Sequence, residues 1–301
     1  MKGTMMKTSK ITTLLLTSVI TALLILNGCS LEITPAAPEN NSAPASTSGG
    51  NLRVVFLDVG QGASQLIISP SGKTMLIDAK NNDKEELMLQ FMEQYGITKL
   101  DTVIGTHPDA DHIGGLDAVI NHIPVGSIYM PKAQANTKTF ESVLRAVKNA
   151  KLKVQTAKAG ISWEMDDQVH VDMLAPRKSY DDSNNMSAVV KITYGRTSFL
   201  LTGDAESDSE RDMLDAGSDL QADVMLVGHH GSKSSTTLAF LKRVRPKYAV
   251  IQVGEGNTYG HPKSVILNRL KQQGVKVYRN DLQGTIEAES NGQKVTFRTE
   301  R

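Results

Sequence analysis

The most informative segment of the sequence is Thr106-His107-Pro108-Asp109-Ala110-Asp111-His112-Ile113-Gly114-Gly115. Four potential metal ligands, two histidines and two aspartates, fall between an apolar β run and a pair of glycines. A tight turn there can aim His107 and Asp109 at one point and Asp111 and His112 at a neighbouring point. The pattern predicts a paired-metal site at the end of a strand. A helix N-terminus capped by aspartate is the alternative.

Two later segments add groups of the same kind, each after an apolar run. In LLTGDAE, residues 200–206, Asp204 follows a strand and a glycine, where its two oxygens can bind one ion each. In VGHHGSKSS, residues 227–235, the adjacent His229 and His230 point in different directions. One of them can therefore bind metal while the other orients substrate or donates a proton. A further histidine, His261, lies in a loop before a predicted helix.

The composition is that of an ordinary globular protein with balanced charges. The 301 residues are 40% apolar, 22% charged and 5% aromatic, with 33 Lys and Arg against 32 Asp and Glu. These proportions exclude a disordered tail, a collagen-like rod and a polytopic membrane protein. The length is compatible with one or two domains. The near-neutral balance provides no global field that would gather nucleic acid.

The first 28 residues have the pattern of an export signal. Three lysines and no acid precede a mostly apolar run, residues 11–26, which is short and threonine-rich for a membrane span. The single cysteine, Cys29, follows and resembles the lipidated cysteine of bacterial lipoproteins. We therefore expect a lipoprotein signal peptide over residues 1–28 and a chain anchored through Cys29 to the outer face of the cell membrane. An uncleaved N-terminal anchor is the alternative.

Residues 29–50 are dominated by Pro, Ala, Ser, Asn and Gly. Such a segment buries too little apolar surface to offset its ordering entropy, so we interpret it as a flexible tether to one domain over residues 51–301. With Cys29 committed to lipid, that domain has no thiol, which excludes disulfides and any cysteine nucleophile or ligand. Its chemistry must use histidines, carboxylates and hydroxyls.

The sequence pattern of the domain predicts two strand-rich halves, each with its own helices. A meander of short strands opens the first half near Leu52, and strands at residues 187–194 and 197–201 belong to the second. Helical patterns alternate with further strands in both halves. This suggests two sheets packed face to face with helices outside, although periodicity alone leaves the arrangement open.

The combined motifs resemble the metallo-β-lactamase superfamily, and more narrowly the C-terminal hydrolase domain of ComEC-type competence proteins. Besides the histidine and Gly-Asp-Ala-Glu motifs, the resemblance rests on Asp58–Gly62 (DVGQG), Ile77-Asp78, residues 184–187, Tyr259-Gly260-His261-Pro262 and a closing Asp281-x-x-Gly284. It spans nearly the whole folded part. It implies an α+β fold, a single-domain αββα sandwich, with a dinuclear metal site in a groove at one edge of the sheets.

The resemblance also implies a ligand set for two divalent ions. The first ion would be held by His107 and Asp109, the second by Asp111, His112 and His230, and both by Asp204. His230 is preferred over His229 as the ligand. Because Asp109 stands where the commonest motif has a second histidine, both Zn²⁺ and Mn²⁺ are expected to fit.

Other positions depart from the family pattern or support it. The superfamily's third histidine has no equivalent at residues 184–187, which we expect to be a strand. The first ion is therefore expected to be open to water, substrate or His229. Ala63 stands where family members usually carry an acid after Gln-Gly. Nearby Asp78 is expected to be a buried, hydrogen-bonded support rather than a ligand.

Two divalent ions lower the pKa of a shared water and bind charge that develops on a phosphoryl or carbonyl oxygen. Asp109, Asp111 or His229 is expected to accept or shuttle the proton, and His229 or His261 to protonate the leaving group. Lys233 is expected to hold a substrate phosphate together with the hydroxyls of Ser232, Ser234 and Ser235. An exposed side chain in a polar turn is the alternative for Lys233. Asn185 is also expected to contact the substrate.

These features predict an exported metal-dependent phosphodiesterase or nuclease acting on extracellular DNA or RNA. Aromatic residues are few for a stacking platform. The alternative is therefore an enzyme for small or cell-wall phosphoesters such as phosphorylcholine, with Trp163, Tyr180 and Tyr259 available for an aromatic cage. A non-enzymatic surface binding module is the alternative from another class. No sequence feature indicates a nucleotide cofactor, and the oligomeric state is left open.

Overall fold

The computed structural model describes residues 50–133 and 135–301. The predicted signal peptide, the lipidation of Cys29 and the tether up to residue 49 lie outside the described residues and stay predictions. Within the described part, no helix combines the length and the apolar character that a membrane crossing needs.

The described chain forms fifteen strands and eight α-helices. The strands are β1 (Leu52–Phe56), β2 (Gln65–Ile68), β3 (Thr74–Ile77), β4 (Leu100–Ile104), β5 (Val125–Met130), β6 (Val154–Thr156), β7 (Ile161–Asp166), β8 (Val169–Ala175), β9 (Val189–Tyr194), β10 (Thr197–Leu201), β11 (Val224–Leu226), β12 (Tyr248–Ile251), β13 (Lys276–Arg279), β14 (Ile286–Ser290) and β15 (Val295–Thr299). The helices are α1 (Glu85–Gln94), α2 (Ala110–Ile113), α3 (Leu116–His122), α4 (Lys138–Asn149), α5 (Ser207–Asp215), α6 (Leu238–Val244), α7 (Ser264–Gln272) and α8 (Asn280–Gln283).

The strands assemble into two mixed sheets. The first has the order β15-β14-β1-β2-β3-β4-β5-β6 and the second the order β13-β12-β11-β10-β9-β8-β7. Strands β3 to β6 are mutually parallel, as are β10 to β13, whereas the other pairs are antiparallel. Parallel neighbours need crossover connections, which explains why most helices of each half lie between these strands.

Three apolar layers hold the sheets and helices together. The middle layer lies between the sheets and contains the fully buried rings of Phe56 and Phe199. Burial of one such ring contributes about 1.5–3 kcal/mol. The outer layers pack α1, α3 and α4 on the first sheet and α5, α6 and α7 on the second. The result is the αββα sandwich, an α+β fold with one domain, that the sequence predicts.

One local expectation was wrong. The sequence predicts a strand at residues 184–187, but residues Asn184–Met186 form a 3₁₀ turn and β9 begins only at Val189. The Oδ1 atom of Asp182 accepts hydrogen bonds from the backbone N–H groups of Asn184 and Asn185, at 2.7 and 3.4 Å. An aspartate that bonds its own following backbone favours a turn over extended chain.

Gly114 and Gly115, which end the segment 106–115, permit a close approach of two loops. A Cβ on Gly114 would lie 2.4 Å from the backbone N of Asn82, and one on Gly115 would lie 2.4 Å from the carbonyl oxygen of Ala79. Ala79 follows Asp78 in the loop after β3. The glycines therefore let the turn at residues 107–112 pack directly against the loop that carries Asp78.

We expect Gly115→Ala to lower the free energy of unfolding by about 1–3 kcal/mol, because the added methyl group must displace backbone in a packed region. Urea unfolding measures the change. Asn121→Ala, at an exposed position of α3, is the control and should shift the value by less than about 0.5 kcal/mol. Equal stability of Gly115→Ala and the unaltered chain would contradict the close packing of the two loops.

Candidate metal centre

The histidines and carboxylates meet at the carboxyl ends of parallel strands. Asp78 follows β3, and residues 106–112 follow β4. In the second sheet, Asp204 follows β10, and residues 229–230 follow β11. Carboxyl ends of parallel strands lie at the same edge of a sheet, and the two sheets face each other here. Segments from Asp78 to His230 therefore line one groove, linked by the pairs Asp78–His112, His112–Asp204 and Asp204–His230.

Three buried histidines have an Nε2 atom without a hydrogen-bond partner, namely His107, His112 and His230. Their Nδ1 atoms contact Thr106 Oγ1 at 3.0 Å, Asp78 Oδ2 at 2.7 Å and the carbonyl oxygen of Gln252 at 2.8 Å, respectively. Buried polar atoms rarely stay unpaired. A metal-bound imidazole characteristically uses its second nitrogen for such a hydrogen bond. The three Nε2 atoms could therefore serve as metal ligands.

Asp204 lies among these imidazoles. Its Oδ1 atom is 3.1 Å from His112 Nε2, and its Oδ2 atom is 3.6 Å from the Nε2 atoms of both His229 and His230. The residue is 4% exposed, and its backbone N–H donates to Ser187 Oγ at 3.1 Å. Two carboxylate oxygens that face different histidines form the arrangement that a bridging ligand requires.

Two more aspartates border the cluster. Asp109 Oδ2 lies 3.7 Å from His107 Nε2, and Asp111 Oδ2 lies 3.5 Å from His230 Nε2. Two overlapping groups have all their ligand atoms within 4.8 Å of one another. These are His107, His112 and Asp204, and Asp111, His112 and His230. The donor set of imidazole nitrogens and carboxylate oxygens fits divalent metal ions.

The charges of the cluster are strongly coupled. Burial opposes a proton on His112, but Asp204 and Asp78 raise its pKa well above the usual value. Burial would raise the pKa of Asp204, yet His112 and His230 hold it well below the usual value. For Asp111, burial is likewise outweighed by the interaction with His230, which lowers its pKa to about 2. In the metal-free chain, charged histidine therefore balances the carboxylates that a cation would otherwise neutralise.

Metal binding is expected to release a proton and to weaken as the pH falls. The raised pKa keeps a proton on His112 at neutral pH, and a cation must displace it from Nε2. The affinity for the metal ion therefore increases as the pH rises towards the raised pKa of His112, and it levels off above that pKa. Calorimetric titration with Zn²⁺ or Mn²⁺, in buffers that differ in protonation enthalpy, measures the released proton. An affinity that is constant between about pH 6 and pH 8 would contradict this competition.

Glu206 holds His229 in a defined orientation. The Oε1 atom of Glu206 contacts His229 Nδ1 at 2.9 Å and accepts hydrogen bonds from Ser234 Oγ at 2.6 Å and Asn184 Nδ2 at 3.5 Å. A carboxylate at Nδ1 keeps a proton on that nitrogen and leaves Nε2 directed at Asp204. The sequence reasoning gave Glu206 no role, although it stands two residues after Asp204 in a quoted motif.

Three of the seven non-glycine residues with positive φ in the described part of the chain belong to this cluster. Asp78, His229 and His230 have φ angles of 59°, 49° and 53°, in the left-handed region that non-glycine residues seldom adopt. Each such residue costs of order 1–3 kcal/mol, which the surrounding contacts must offset. Strain of this kind clusters at functional sites, because it aims side chains that regular structure would point elsewhere.

The family assignment follows from comparison with known proteins. Residues 57–255 match the family described as the metallo-beta-lactamase superfamily. The chain belongs to the metallo-β-lactamase superfamily. Its membership agrees with the αββα fold and with the cluster of histidines and aspartates, and it supports a metal-dependent hydrolase.

Curated relatives within the superfamily include competence proteins. ComE operon protein 3 of Bacillus subtilis (strain 168) is 32% identical over 273 residues, which cover 84% of this chain and 35% of that protein. Competence protein ComA of Neisseria gonorrhoeae is 30% identical over 270 residues, with 88% and 35% covered. The chain thus spans about a third of the length of these relatives. The predicted resemblance to ComEC-type domains is confirmed.

Solved structures of the superfamily confirm the fold. The metallo-beta-lactamase fold protein YhfI from Bacillus subtilis superposes with a TM-score of 0.50 at 14% identity. The match covers 82% of this chain and all of that protein. At this level of identity the likeness concerns the fold alone.

Asp78 is buried and hydrogen-bonded, as the sequence predicts. Asp78 is fully buried and accepts hydrogen bonds from the backbone N–H and Oγ1 of Thr106, at 2.8 and 2.7 Å, in addition to its contact with His112. Ser187 Oγ lies 3.3 Å from His107 Nδ1. Thr106 and Ser187 thus position superfamily ligand candidates, a role that the sequence reasoning did not assign.

The remaining predicted site residues differ in exposure and in their hydrogen-bond partners. His261 lies beside His229, with ring centroids 5.7 Å apart. Lys233 is exposed. Ser232 Oγ contacts Ser234 Oγ at 2.8 Å, and Asn185 Oδ1 accepts a hydrogen bond from the backbone N–H of Ser209 at 3.0 Å. The latter two side chains have internal partners, and the substrate contacts predicted for all three polar residues stay predictions.

Proposed function

We propose that the chain is an exported, metal-dependent phosphodiesterase that cleaves extracellular DNA or RNA. The observation that carries the proposal is the group of three buried, unpartnered Nε2 atoms around the Asp204 carboxylate. Two divalent ions bound there would activate a shared water and stabilise negative charge developing on a phosphoryl oxygen. Export is supported by the sequence pattern of residues 1–29.

The proposed ligands divide between two ions. They are His107 and Asp109 for the first ion, Asp111, His112 and His230 for the second, and Asp204 for both. Asp111 supplies an ionised oxygen at neutral pH, because its pKa is lowered to about 2 by His230 against the effect of burial. The same low pKa makes it a weak base, so we assign it to metal binding rather than to proton transfer.

His229 is the group we assign to proton transfer. Its Nε2 atom faces the cluster, and Glu206 contacts Nδ1 and holds the ring in this orientation. His261 is less suited to protonating a leaving group, because burial and the neighbouring His229 and His230 lower its pKa to about 4. At neutral pH the His261 ring is therefore neutral. An effective general acid needs a pKa nearer the working pH.

Tyr259 supports a substrate with an unpaired base. Its side chain is 62% exposed, and its ring stacks on His261 with centroids 5.8 Å apart and an angle of 23° between the planes. Asn257 fixes this loop, since its side chain accepts from the N–H of His261 and donates to the carbonyl of the same residue, at 3.0 and 2.8 Å. An aromatic face on His261, whose ring lies beside His229, can stack on a base of single-stranded nucleic acid.

Tyr259→Ala is expected to raise the KM for single-stranded DNA by about tenfold, because stacking on one aromatic side chain contributes about 1–3 kcal/mol per base. Hydrolysis of methyl p-nitrophenyl phosphate, a small diester without a base, should change less than about twofold. Leu282→Ala is the matched control, since Leu282 is equally exposed at 62%. Steady-state kinetics on both substrates measure the effect. Equal losses on the two substrates would contradict base stacking.

The aromatic cage expected for a phosphorylcholine substrate is not assembled in the described part of the chain. Trp163 stacks on Tyr129 with centroids 5.3 Å apart. The Tyr180 hydroxyl donates to Asp212 at 2.6 Å, and its ring lies under the ammonium group of Lys178. Neither ring contacts Tyr259. A choline headgroup needs several aromatic faces around one point, so nucleic acid is the preferred substrate class.

The test compares substrates on the chain after metal removal and separate reloading with Mn²⁺ and Zn²⁺. Single-stranded DNA, p-nitrophenyl phosphorylcholine and methyl p-nitrophenyl phosphate are assayed with the unaltered chain, Asp111→Ala and the exposed control Asp167→Ala. We expect metal-dependent DNA cleavage that is lost only in Asp111→Ala. Hydrolysis of the choline ester without DNA cleavage would move the substrate to cell-wall phosphoesters. Bound metal without any hydrolysis would favour a binding module.

A further inference from the structure

Basic side chains gather at the end of the second sheet opposite to the metal centre. Arg196 precedes β10, residues 242–247 connect the end of α6 to β12, and Lys276 begins β13. The metal-centre residues follow the other ends of β10 and β11. We call this surface the basic end and define it by six exposed side chains. They are Arg196, Lys242, Arg243, Arg245, Lys247 and Lys276.

The charge of the basic end is largely unneutralised. Two carboxylates lie among its residues, but Asp219 pairs with Lys191 at 2.7 Å and Asp223 pairs with Lys247 at 2.9 Å. The chain after residue 50 has equal numbers of basic and acidic residues, so the excess is local.

Most of the basic side chains have no anionic partner within residues 50–133 and 135–301. Arg196, Lys242 and Arg243 form no ion pair there, and Arg245 donates only to the side-chain amide of Gln221, at 3.0 Å. Guanidinium groups that lack a carboxylate are well suited to bind phosphate oxygens.

The surface has room for several phosphate groups. Two adjoining depressions of about 380 and 370 Å³ share Asp219, Gln221 and Arg245 as lining residues. Arg243 lines the first, and Arg196 lines the second. Basic groups around shallow concavities match an array of phosphates on a surface rather than one buried anion.

The N-terminal segment joins the domain at the same end. The Tyr194 hydroxyl donates to the carbonyl oxygen of Gly50 at 3.3 Å. Tyr194 ends β9 two residues before Arg196, in the turn that leads to β10. Gly50, the first described residue, therefore lies beside the basic end.

The attachment point limits how the domain can meet a membrane. From Cys29 to Gly50 the chain can extend at most about 70 Å, and a flexible chain of this length spans about 25 Å on average. If Cys29 carries the predicted lipid, the basic end is held near the bilayer at high effective concentration.

We propose that the basic end docks on anionic phospholipid, so that the metal centre faces away from the membrane. The proposal rests on the predicted N-terminal anchor and goes beyond the proposed reaction. Electrostatic attraction between clustered basic side chains and lipid phosphates supplies the contact, and salt screens it. A membrane is favoured over nucleic acid because the basic end lies opposite to the metal centre and beside the attachment of residues 1–49.

The orientation of the full-length chain can be measured in vesicles by energy transfer to a labelled lipid. A donor dye is placed on an introduced cysteine, either Gln273→Cys near the basic end or Glu255→Cys in the loop after β12 at the other end. The unaltered chain with dye reports labelling of Cys29. In vesicles containing phosphatidylglycerol at low salt, we expect at least twofold stronger quenching at position 273 than at position 255.

Charge reversal provides the decisive comparison. Arg196→Glu with Arg243→Glu removes no side-chain hydrogen bond or ion pair of the described residues and should equalise the two positions, as should pure phosphatidylcholine vesicles or about 0.5 M salt. Lys153→Glu with Lys158→Glu, two exposed lysines that flank β6, is the matched control and should leave the difference intact. Urea unfolding checks separately that each variant is folded.

Two outcomes would overturn the proposal. Equal quenching of the two positions in anionic vesicles would show that the basic end does not face the membrane. Unchanged quenching in the Arg196→Glu, Arg243→Glu variant, together with weakened binding of single-stranded DNA, would assign the basic end to nucleic acid instead. Neither outcome concerns the metal centre, so failure here leaves the proposed reaction to its own test.

Discussion

Asp204→Asn is expected to lower the kcat for phosphodiester hydrolysis by about a thousandfold or more and to reduce the bound metal below two ions per chain. The two oxygens of Asp204 face His112 on one side and His229 and His230 on the other. Asparagine keeps the volume but has one oxygen and no charge. It therefore can neither bridge two cations nor neutralise them in a buried site.

Metal content and kcat measured on the same sample check this expectation. Asp167→Asn, an exposed aspartate outside the cluster, is the control and should retain both metal and activity. The pKa of His112 should also fall in the metal-free Asp204→Asn variant, because the carboxylate that raises it is gone. If the variant kept two ions and a normal kcat, Asp204 would be neither a required metal ligand nor a required catalytic residue.

Alanine substitutions of the two adjacent histidines are expected to differ in their effects on metal content and kcat. His230 is buried, its Nδ1 is held by the carbonyl of Gln252, and its Nε2 lacks a partner, so His230→Ala should lose metal. His229→Ala should keep the metal and lower kcat by about 10²–10⁴-fold, the range typical of a general acid or base. The opposite pattern, metal loss in His229→Ala alone, would make His229 the ligand.

Glu206→Gln tests whether Glu206 positions His229 for proton transfer or only packs against it. Glu206 acts through His229, and outer partners of this kind are typically worth about 10–100-fold in activity. We expect that loss in kcat with metal content unchanged. The pH–rate profile should also change shape, since the ring that we assign to proton transfer loses its hydrogen-bonded carboxylate at Nδ1. A uniform loss at every pH would indicate a structural role only.

The sequence was sufficient for those parts of the site that lie close together along the chain. His107 to His112 form one turn after β4, and Asp204 follows one strand, so a local pattern indicated their common location. Glu206 was quoted in a motif but received no role. Its importance depends on the contact with His229, which comes from a strand end 23 residues further on.

Features assembled from distant segments could not be predicted. The basic end draws on residues before β10, at the end of α6 and at the start of β13, and the balanced overall composition concealed it. Likewise, the capping contact of Asn185 with Ser209 exists only because α5 packs next to the turn at residues 184–186. The roles of these residues depend on tertiary contacts, which the periodicity of a sequence does not reveal.

The most direct test follows metal occupancy and activity together. The metal-free chain is titrated with Mn²⁺, bound metal is measured by equilibrium dialysis, and cleavage of single-stranded DNA is measured at each point. We expect two ions per chain at saturation and activity that appears as the second ion binds. Full cleavage by chains that hold one ion or none would contradict a paired-metal centre on these residues.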